Sequence, residues 1–447
     1  MTPVDQANDR DFVRFLEQRA GEAPSILVVG TLDTKADDIA FIAEAITDLG
    51  GHPVLLDSSV TPGVFESTYP VVGRAEVASA AGTTIEAIGH LPRGEAVDAM
   101  RVGVRRVTEQ LVEAGHAHGA ICLGGAGAHL AGPAFQALPL GFPKLVLSPL
   151  ASGRRHFEPF VGLRDVAVMH SVADIAGINE ITSKVYRSAA GFIVGAAAAY
   201  AKSQGTGRPN TSRTVAISMN GNTTPALSRA RAQLEGAGFE VVAFHANGAG
   251  GRALEDYVAS GRPAGVLDYT TTELGARTVG GLMDAGPARM EAAGTLGIPQ
   301  VLVPGCIDFI TCGPWEETEV EFPGRTMFRH NPELTLVRLN RDELAELGTV
   351  FAKKANAAIG FTSILVPSRG FSVPDSEGGP FWDPAADRAF VDALTASLSN
   401  DVSLRVVDAH VNDTAFADEA VAELLRLMSR LPEPSQTLAS AGERERA

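Results

Sequence analysis

Residues 25–57 read SILVVGTLDTKADDIAFIAEAITDLGGHPVLLD, and this stretch decides the fold. Ser25–Gly30 is an unbroken apolar run closed by glycine, the pattern of a strand covered on both faces. Ile39, Ile42, Ala43, Ile46 and Leu49 then recur at helical spacing, and Gly50-Gly51 ends the stripe. HPVLLD is again strand-like. Strand, helix and strand in so short a span form a βαβ unit, whose neighbours should build a parallel sheet.

The same grammar runs on in both directions from this unit. Val97, Met100, Val104, Val107 and Leu111 mark a helix, followed by the strands GAICLGG, PKLVLSPLASG and DVAVMHSVADI and a long helix from about Glu180 to Lys202. KSQGTGRPNTSR, residues 202–213, has the polar Gly/Pro/Ser composition of a linker. Beyond it the alternation restarts with RTVAISMNG, FEVVAFHANG, GVLDYTTTE and PQVLVPGCID, and it closes with TSILVPSRG, SLRVVDAH and a last helix. The expected fold is α/β, with two doubly wound Rossmann-like domains and mainly parallel sheets. The expected boundaries are an N-terminal extension over 1–23, an N-terminal α/β domain over 24–203 and a linker over 204–213. A catalytic or ligand domain over 214–431 and a mobile tail over 432–447 follow.

Composition narrows the function. The chain has 447 residues, with 45% hydrophobic and 20% charged, the balance of an ordinary globular protein. A net charge of −16 argues against a sequence-independent nucleic-acid binder. Three cysteines make no disulfide framework and point to a reducing cytoplasm. MTPVDQANDRDF has no signal-peptide pattern, and the apolar Ala189–Ala201 is short and alanine-rich, a buried helix rather than a membrane span.

Doubly wound sheets carry their sites at the carboxyl ends of the strands. In the first half these ends are GTLDTK (30–35), LGGAGAH (123–129) and SPLASGR (148–154). Glycine lets backbone amides approach a phosphate, and Thr31, Thr34 and Lys35 add hydroxyls and a cation. The alternative is that these glycines only make tight turns and Asp33 caps the helix. No GxxxxGK[ST] is present, and GGAGAH lacks a ribose-binding acid in the expected place, so a P-loop or dinucleotide enzyme is not indicated.

The second half offers MNGNTT, HANGAGGR, LDYTTTE, PGCIDF and RHNPE. His245, Asp268 and Glu273 suit general acid–base work or a divalent ion. Cys306 is a candidate nucleophile, and His330 completes the candidate catalytic set. Asn220, Thr223, Gly250, Gly251, Arg252, Thr271 and Thr272 are candidate substrate-binding residues, with Arg252 aimed at a carboxylate or phosphate and HANGAGGR acting as an anion cradle. Each alone also reads as a capped or surface polar residue. SRGFS and GGPFWD look like a lid or a subunit contact, and DAHVND like a turn into the last helix.

Taken together, GTLDTK, LGGAGAH, SPLASG, SVADIAGIN, FHANGAGGR, LDYTTTE, AGPARMEAAGTLGIPQV, HNPE and the GGPFWD…DAHVND ending resemble the Tm-one-like ATP-binding family, long filed as an uncharacterised family of bacteria and fungi. The resemblance covers roughly residues 25–431. It implies ATP binding in the N-terminal half, with Mg2+ possible, and a homodimer. The phosphate-binding role carries onto Gly30, Thr31, Asp33, Thr34, Lys35, the loop Gly124, Gly125, Ala126 and Gly127, and Ser152-Gly153. Plant members resemble a tomato mosaic virus resistance protein and continue into a barrel domain, which would make a separate barrel-domain protein a partner here. The expectation is thus a cytoplasmic ATP-binding protein with a second polar site in an inter-domain cleft. Its alternative is a carbon–carbon hydrolase or lyase of a small keto or carboxylate substrate, worked by the C-terminal His/Asp/Glu/Cys set.

Overall fold

The computed structural model describes residues 23–61, 65–151, 158–203, 213–261 and 263–430. Two compact units divide between Asn210 and Thr211, inside the expected linker. The expected N-terminal extension, most of the linker and the tail lie outside the described residues.

The first unit holds a six-stranded sheet of β1 (Ser25–Gly30), β2 (His52–Asp57), β3 (Val71–Val72), β4 (Gly119–Leu123), β5 (Lys144–Ser148) and β6 (Ala167–His170). Its order is β3-β2-β1-β4-β5-β6, parallel throughout. The apolar run of β1 is explained by burial on both sides. Leu27 and Val29 enter one core with Met100, Val104 and Phe135, while Ile26 and Val28 enter the other with Ile39, Ile42 and Ile193. The long helix Glu180–Ser203 lies in the second of these layers through Tyr186, Ala189, Ile193 and Ala197. Among the described residues, no helix is long and apolar enough to cross a membrane.

The second unit has β7 (Thr214–Met219), β8 (Glu240–His245), β9 (Gly265–Thr270) and β10 (Gln300–Gly305). A small antiparallel sheet of β11 (Phe309–Cys312), β12 (Met327–Arg329) and β13 (Thr335–Arg338) follows, then β14 (Thr362–Pro367) and β15 (Ser403–Val407). The main sheet runs β15-β14-β10-β9-β7-β8, again parallel. The first sheet reverses direction between β1 and β4, and the second between β7 and β9. These are the switch points where the carboxyl ends of diverging strands leave a crevice. The antiparallel insertion was not expected from sequence. It places RHNPE in the β12–β13 hairpin rather than at a parallel strand end.

Close helix packing in the first unit depends on Gly103 in the helix Arg93–Glu113. A Cβ there would lie 2.0 Å from the carbonyl oxygen of Val77 in the helix Arg74–Ala80. Gly191, on the exposed side of the helix Glu180–Ser203, has nothing within 4 Å of an added Cβ. Gly103→Ala should therefore cost the first unit about 1–3 kcal/mol by overpacking. Gly191→Ala should raise its stability by roughly 0.5–1 kcal/mol through lower backbone entropy in the unfolded chain. Thermal unfolding of the two variants checks this, and equal midpoints would refute the packing argument.

Candidate functional site

At the first switch point the loop after β1 and the loop after β4 adjoin. A Cβ added to Gly127 would lie 3.7 Å from Thr31 Cγ2 and 3.8 Å from its Oγ1. A Cβ added at Gly30 would meet Ile39 Cδ1 at 2.6 Å, so the Ile39 side chain packs directly over this glycine. Thr31 and Thr34 share a hydroxyl–hydroxyl hydrogen bond of 3.0 Å, and the Lys35 ammonium donates to the Ile175 carbonyl.

The amides of the first loop are engaged internally. Leu32 N donates to Asp57 Oδ1 (3.2 Å), Asp33 N to Ser59 Oγ (3.1 Å), and Thr34 N and Lys35 N to Thr31 O. Lys35, not Asp33, is the N-cap of the helix Ala36–Asp48, without a side-chain cap. In that helix Asp38 is buried and satisfied by Tyr186 Oη (2.7 Å) and Gly177 N (3.2 Å).

The second loop differs. Gly124 N donates to Leu147 O and Ala128 N to Gly125 O, closing a turn of 3₁₀ helix, Ala126–Leu130, with no side chain capping it. The amides of Gly125 and Gly127 donate to no acceptor among the described residues. Among the described residues, Pro149 Cγ is the nearest atom to a Cβ added at Gly125, at 3.9 Å. Ser152 and Gly153 lie outside the described residues.

The second switch point is filled by the protein itself. Arg289 is 1% exposed and reaches three carboxylates from three elements. It donates to both oxygens of Asp268 in β9 (2.5 and 2.6 Å), to Glu273 Oε2 (2.5 Å) and to Glu255 Oε1 (3.3 Å). Ser218 Oγ adds a 2.6 Å bond to Asp268. Glu255 also accepts from the amides of Met290, Glu291 and Ala292, and Met290 takes a left-handed φ of 69° that turns them toward it. Burial pushes the Glu255 and Glu273 carboxyls up against the pull of Arg289. Burial alone would lower the guanidinium, but Asp268 and Glu273 raise it well above its ordinary value.

HANGAGGR is indeed built around an anion, and that anion is Glu273. Gly248 N and Gly251 N donate to Glu273 Oε1 at 2.6 and 3.0 Å, and a Cβ at Gly251 would sit 2.2 Å from Glu273 Oε2. Gly250 N donates to Asn247 Oδ1, and a Cβ at Gly250 would strike the His245 carbonyl oxygen at 1.8 Å. The geometry thus corrects the expected ligand role of Gly250 and Gly251, because their glycine character serves internal packing. Arg252 is half-buried in the first turn of the helix Ala249–Gly261.

The expected catalytic set is not assembled either. Asp268 and Glu273 meet, but through Arg289. His245 ends β8, which is separated from β9 by β7, so its strand is about 10 Å away; its side chain is exposed, as is that of His330 in the hairpin. The expected substrate-binding threonines face inward. Thr223 bonds Thr270 (2.8 Å), Thr271 donates to Val303 O and Thr272 to Phe309 O. Asn220 accepts from Asn222 N and forms a capping box with Thr223.

Cys306 is fully buried in a left-handed conformation, φ 57°, and its thiol faces Asn220 Oδ1 at 3.5 Å. Burial and the neighbouring Asp308 push the thiol well up. Around it lies a second buried ionic cluster that sequence did not reveal. Arg338 donates to Asp387 Oδ1 (2.5 Å) and the Phe381 carbonyl, Ser372 Oγ to Asp308 Oδ2 (2.7 Å), and Phe371 N to Asp375 Oδ2 (2.8 Å). Asp308 Oδ1 and Asp375 Oδ1 are buried without a hydrogen-bond partner among the described residues. These bonds draw the SRGFS and GGPFWD segments down over Cys306, whose amide donates to Phe371 O. Among the described residues, no group of three or more His, Cys, Asp or Glu side chains could hold a metal ion.

Two α/β units with parallel, doubly wound sheets, the second with its switch point closed by buried ion pairs, define a Rossmann-like two-domain protein. The chain belongs to the Uncharacterised protein family (UPF0261): the family's N-terminal domain matches residues 24–202 and its C-terminal domain residues 212–428. It is 36% identical over 408 residues to a UPF0261 protein of Clostridium tetani, covering 91% of this chain and 99% of that one. It is 34% identical over 402 residues to a UPF0261 protein of Rhizobium meliloti, covering 89% and 97%. The ToMV susceptible protein tm-1(GCR26) of Solanum lycopersicum is 31% identical over 426 residues, covering 91% of this chain and 56% of the tomato protein, so the chain spans about half of that relative's length.

Two outcomes are expected from the second unit. Arg289→Met should destabilise it by roughly 3–5 kcal/mol, because three buried carboxylates lose their cation; denaturant unfolding that leaves the midpoint unchanged would refute the network's importance. The second outcome concerns pH. Burial and neighbouring Asp375 push Asp308 up to about 7 and Asp387 up to about 8. Acids raised in the fold hold protons that the unfolded chain releases, so their contribution is complete below the ordinary carboxylate range and is lost as pH climbs through about 7 to 8. The thermal midpoint should fall as pH rises from about 4 to about 8 and level off above that, with a smaller slope in Asp387→Asn.

Proposed function

We propose that the chain binds ATP at the switch point of its N-terminal sheet. The observation that carries this reading is the pair of amides, Gly125 and Gly127, that have no acceptor among the described residues and are set against the Thr31 and Thr34 loop where the strand order reverses. Amides of this kind at such a crevice suit phosphate oxygens. Lys35 supplies a cation once it exchanges the Ile175 carbonyl for a phosphate. Magnesium, if it enters, comes with the triphosphate. The absence of a GxxxxGK[ST] loop favours binding without rapid hydrolysis. The alternative hydrolase or lyase reading is favoured by no particular observation, since Arg289 engages both carboxylates of its catalytic set.

Lys35→Ala removes the cation, and Gly125→Val adds a side chain where, among the described residues, only Pro149 comes within 4 Å. Each should weaken ATP by about 1.5–3 kcal/mol, the worth of a charge-assisted hydrogen bond. Calorimetric titration of nucleotide-stripped protein with ATP and magnesium is the test. Wild-type affinity in both variants would remove the site from this loop pair.

A further inference from the structure

We propose that Asp57 is the ribose-recognising residue of this site, so that the ligand is selected as a nucleoside phosphate with a free vicinal diol rather than as a phosphate alone. The inference rests on the nucleotide reading above. Asp57 is the last residue of β2 and lies directly beside Gly30 in the parallel register, on the opposite side of the β1 loop from Gly125 and Gly127. In a sheet wound in this order, phosphates sit at the turn after the first strand. An acid at the end of the second strand is then within reach of the ribose hydroxyls.

The side chain is oriented for that task. Its Oδ1 accepts from Leu32 N (3.2 Å), Ser59 N (2.9 Å) and Ser59 Oγ (2.5 Å), which fixes the carboxylate plane. Its Oδ2 has no hydrogen bond among the described residues, and the residue is half-buried rather than sealed in. A carboxylate with one oxygen held by three donors presents the other as a fixed acceptor, matched to hydroxyl donors and repelling a 2′-phosphate. Next to it, the Ser58 hydroxyl is fully buried and has no partner among the described residues. Among the described residues, the edge beside Gly30 therefore presents one accessible acceptor without a partner, Asp57 Oδ2, while the Ser58 hydroxyl stays sealed behind it.

The test compares ATP, 2′,3′-dideoxy-ATP and inorganic tripolyphosphate, each with magnesium, on wild type and Asp57→Asn. Asparagine keeps an acceptor for Leu32 and Ser59, and the dideoxy comparison on wild type depends on no variant at all. Wild type should bind ATP about tenfold or more tighter than the dideoxy analogue. Asp57→Asn should erase that preference while leaving tripolyphosphate affinity unchanged. Equal binding of ATP and its dideoxy analogue by wild type would overturn the ribose role and leave the phosphate site standing. So would an equal loss of ATP and tripolyphosphate affinity in Asp57→Asn, which would mark a structural residue. Failure of both ATP and tripolyphosphate to bind wild type would overturn the nucleotide reading itself, and this inference with it.

Discussion

One buried guanidinium organises the C-terminal unit. Arg289 joins Asp268 of β9, Glu273 at the start of the next helix and Glu255 of the helix Ala249–Gly261; Arg289, Asp268 and Glu273 are sealed from water, and Glu255 is mostly so. Withdrawing four charges from solvent costs several kcal/mol per ion, which mutual attraction recovers only when geometry and hydrogen bonding are complete. Completion is what the surrounding backbone supplies: two amides of HANGAGGR on Glu273 and three amides of residues 290–292 on Glu255. The network's effect is therefore positional. It fixes the two loops that flank the second switch point, and an alternative arrangement of either would strand a charge.

The two sheets consequently put the same topological feature to different use. In the second unit, glycine amides, threonine hydroxyls and an arginine converge at the strand ends, but every one of those placed above has an internal partner. In the first unit, the corresponding crevice keeps amides and a carboxylate oxygen without partners among the described residues, and its lysine is held by a single carbonyl. A ligand site requires capacity that folding has not consumed. By that criterion the N-terminal edge is the place to look, although the C-terminal loops are the richer in polar residues.

Sequence made the strands legible because both faces of each central strand are covered, which turns β1 and β4 into apolar runs that no loop imitates. It made the strand-end loops legible for the same reason. What it could not show is which way a polar side chain turns once the strand stops. Thr271 and Thr272 read like substrate contacts and instead bond the carbonyls of Val303 and Phe309. Arg289 sits in AGPARMEAAG, a stretch without periodicity, so nothing in its spacing announces the partners it finds far along the chain. Asp57 was hidden differently. GGAGAH has no acid placed for a ribose, while the strand order makes GTLDTK the first-strand turn and Asp57 the acid that follows it. The antiparallel insertion escaped because its three strands are only three or four residues long.

Cys306 shows why a single suggestive residue is weak ground. A non-glycine residue at positive φ beside a strand end is the kind of strain that gathers at functional sites. Here the strain has a structural explanation. Gly305 approaches the Tyr269 carbonyl so closely that a Cβ would lie 2.2 Å from it, and the chain must then turn sharply to hand the Cys306 amide to Phe371. The thiol that results is fully buried, faces an amide oxygen and is raised by burial and by Asp308, the opposite of what activates a nucleophile. Sealed beneath segments that Arg338 and its carboxylates hold down, Cys306 belongs to the packing of the second unit, and the same cluster that buries it is what ties that packing to pH.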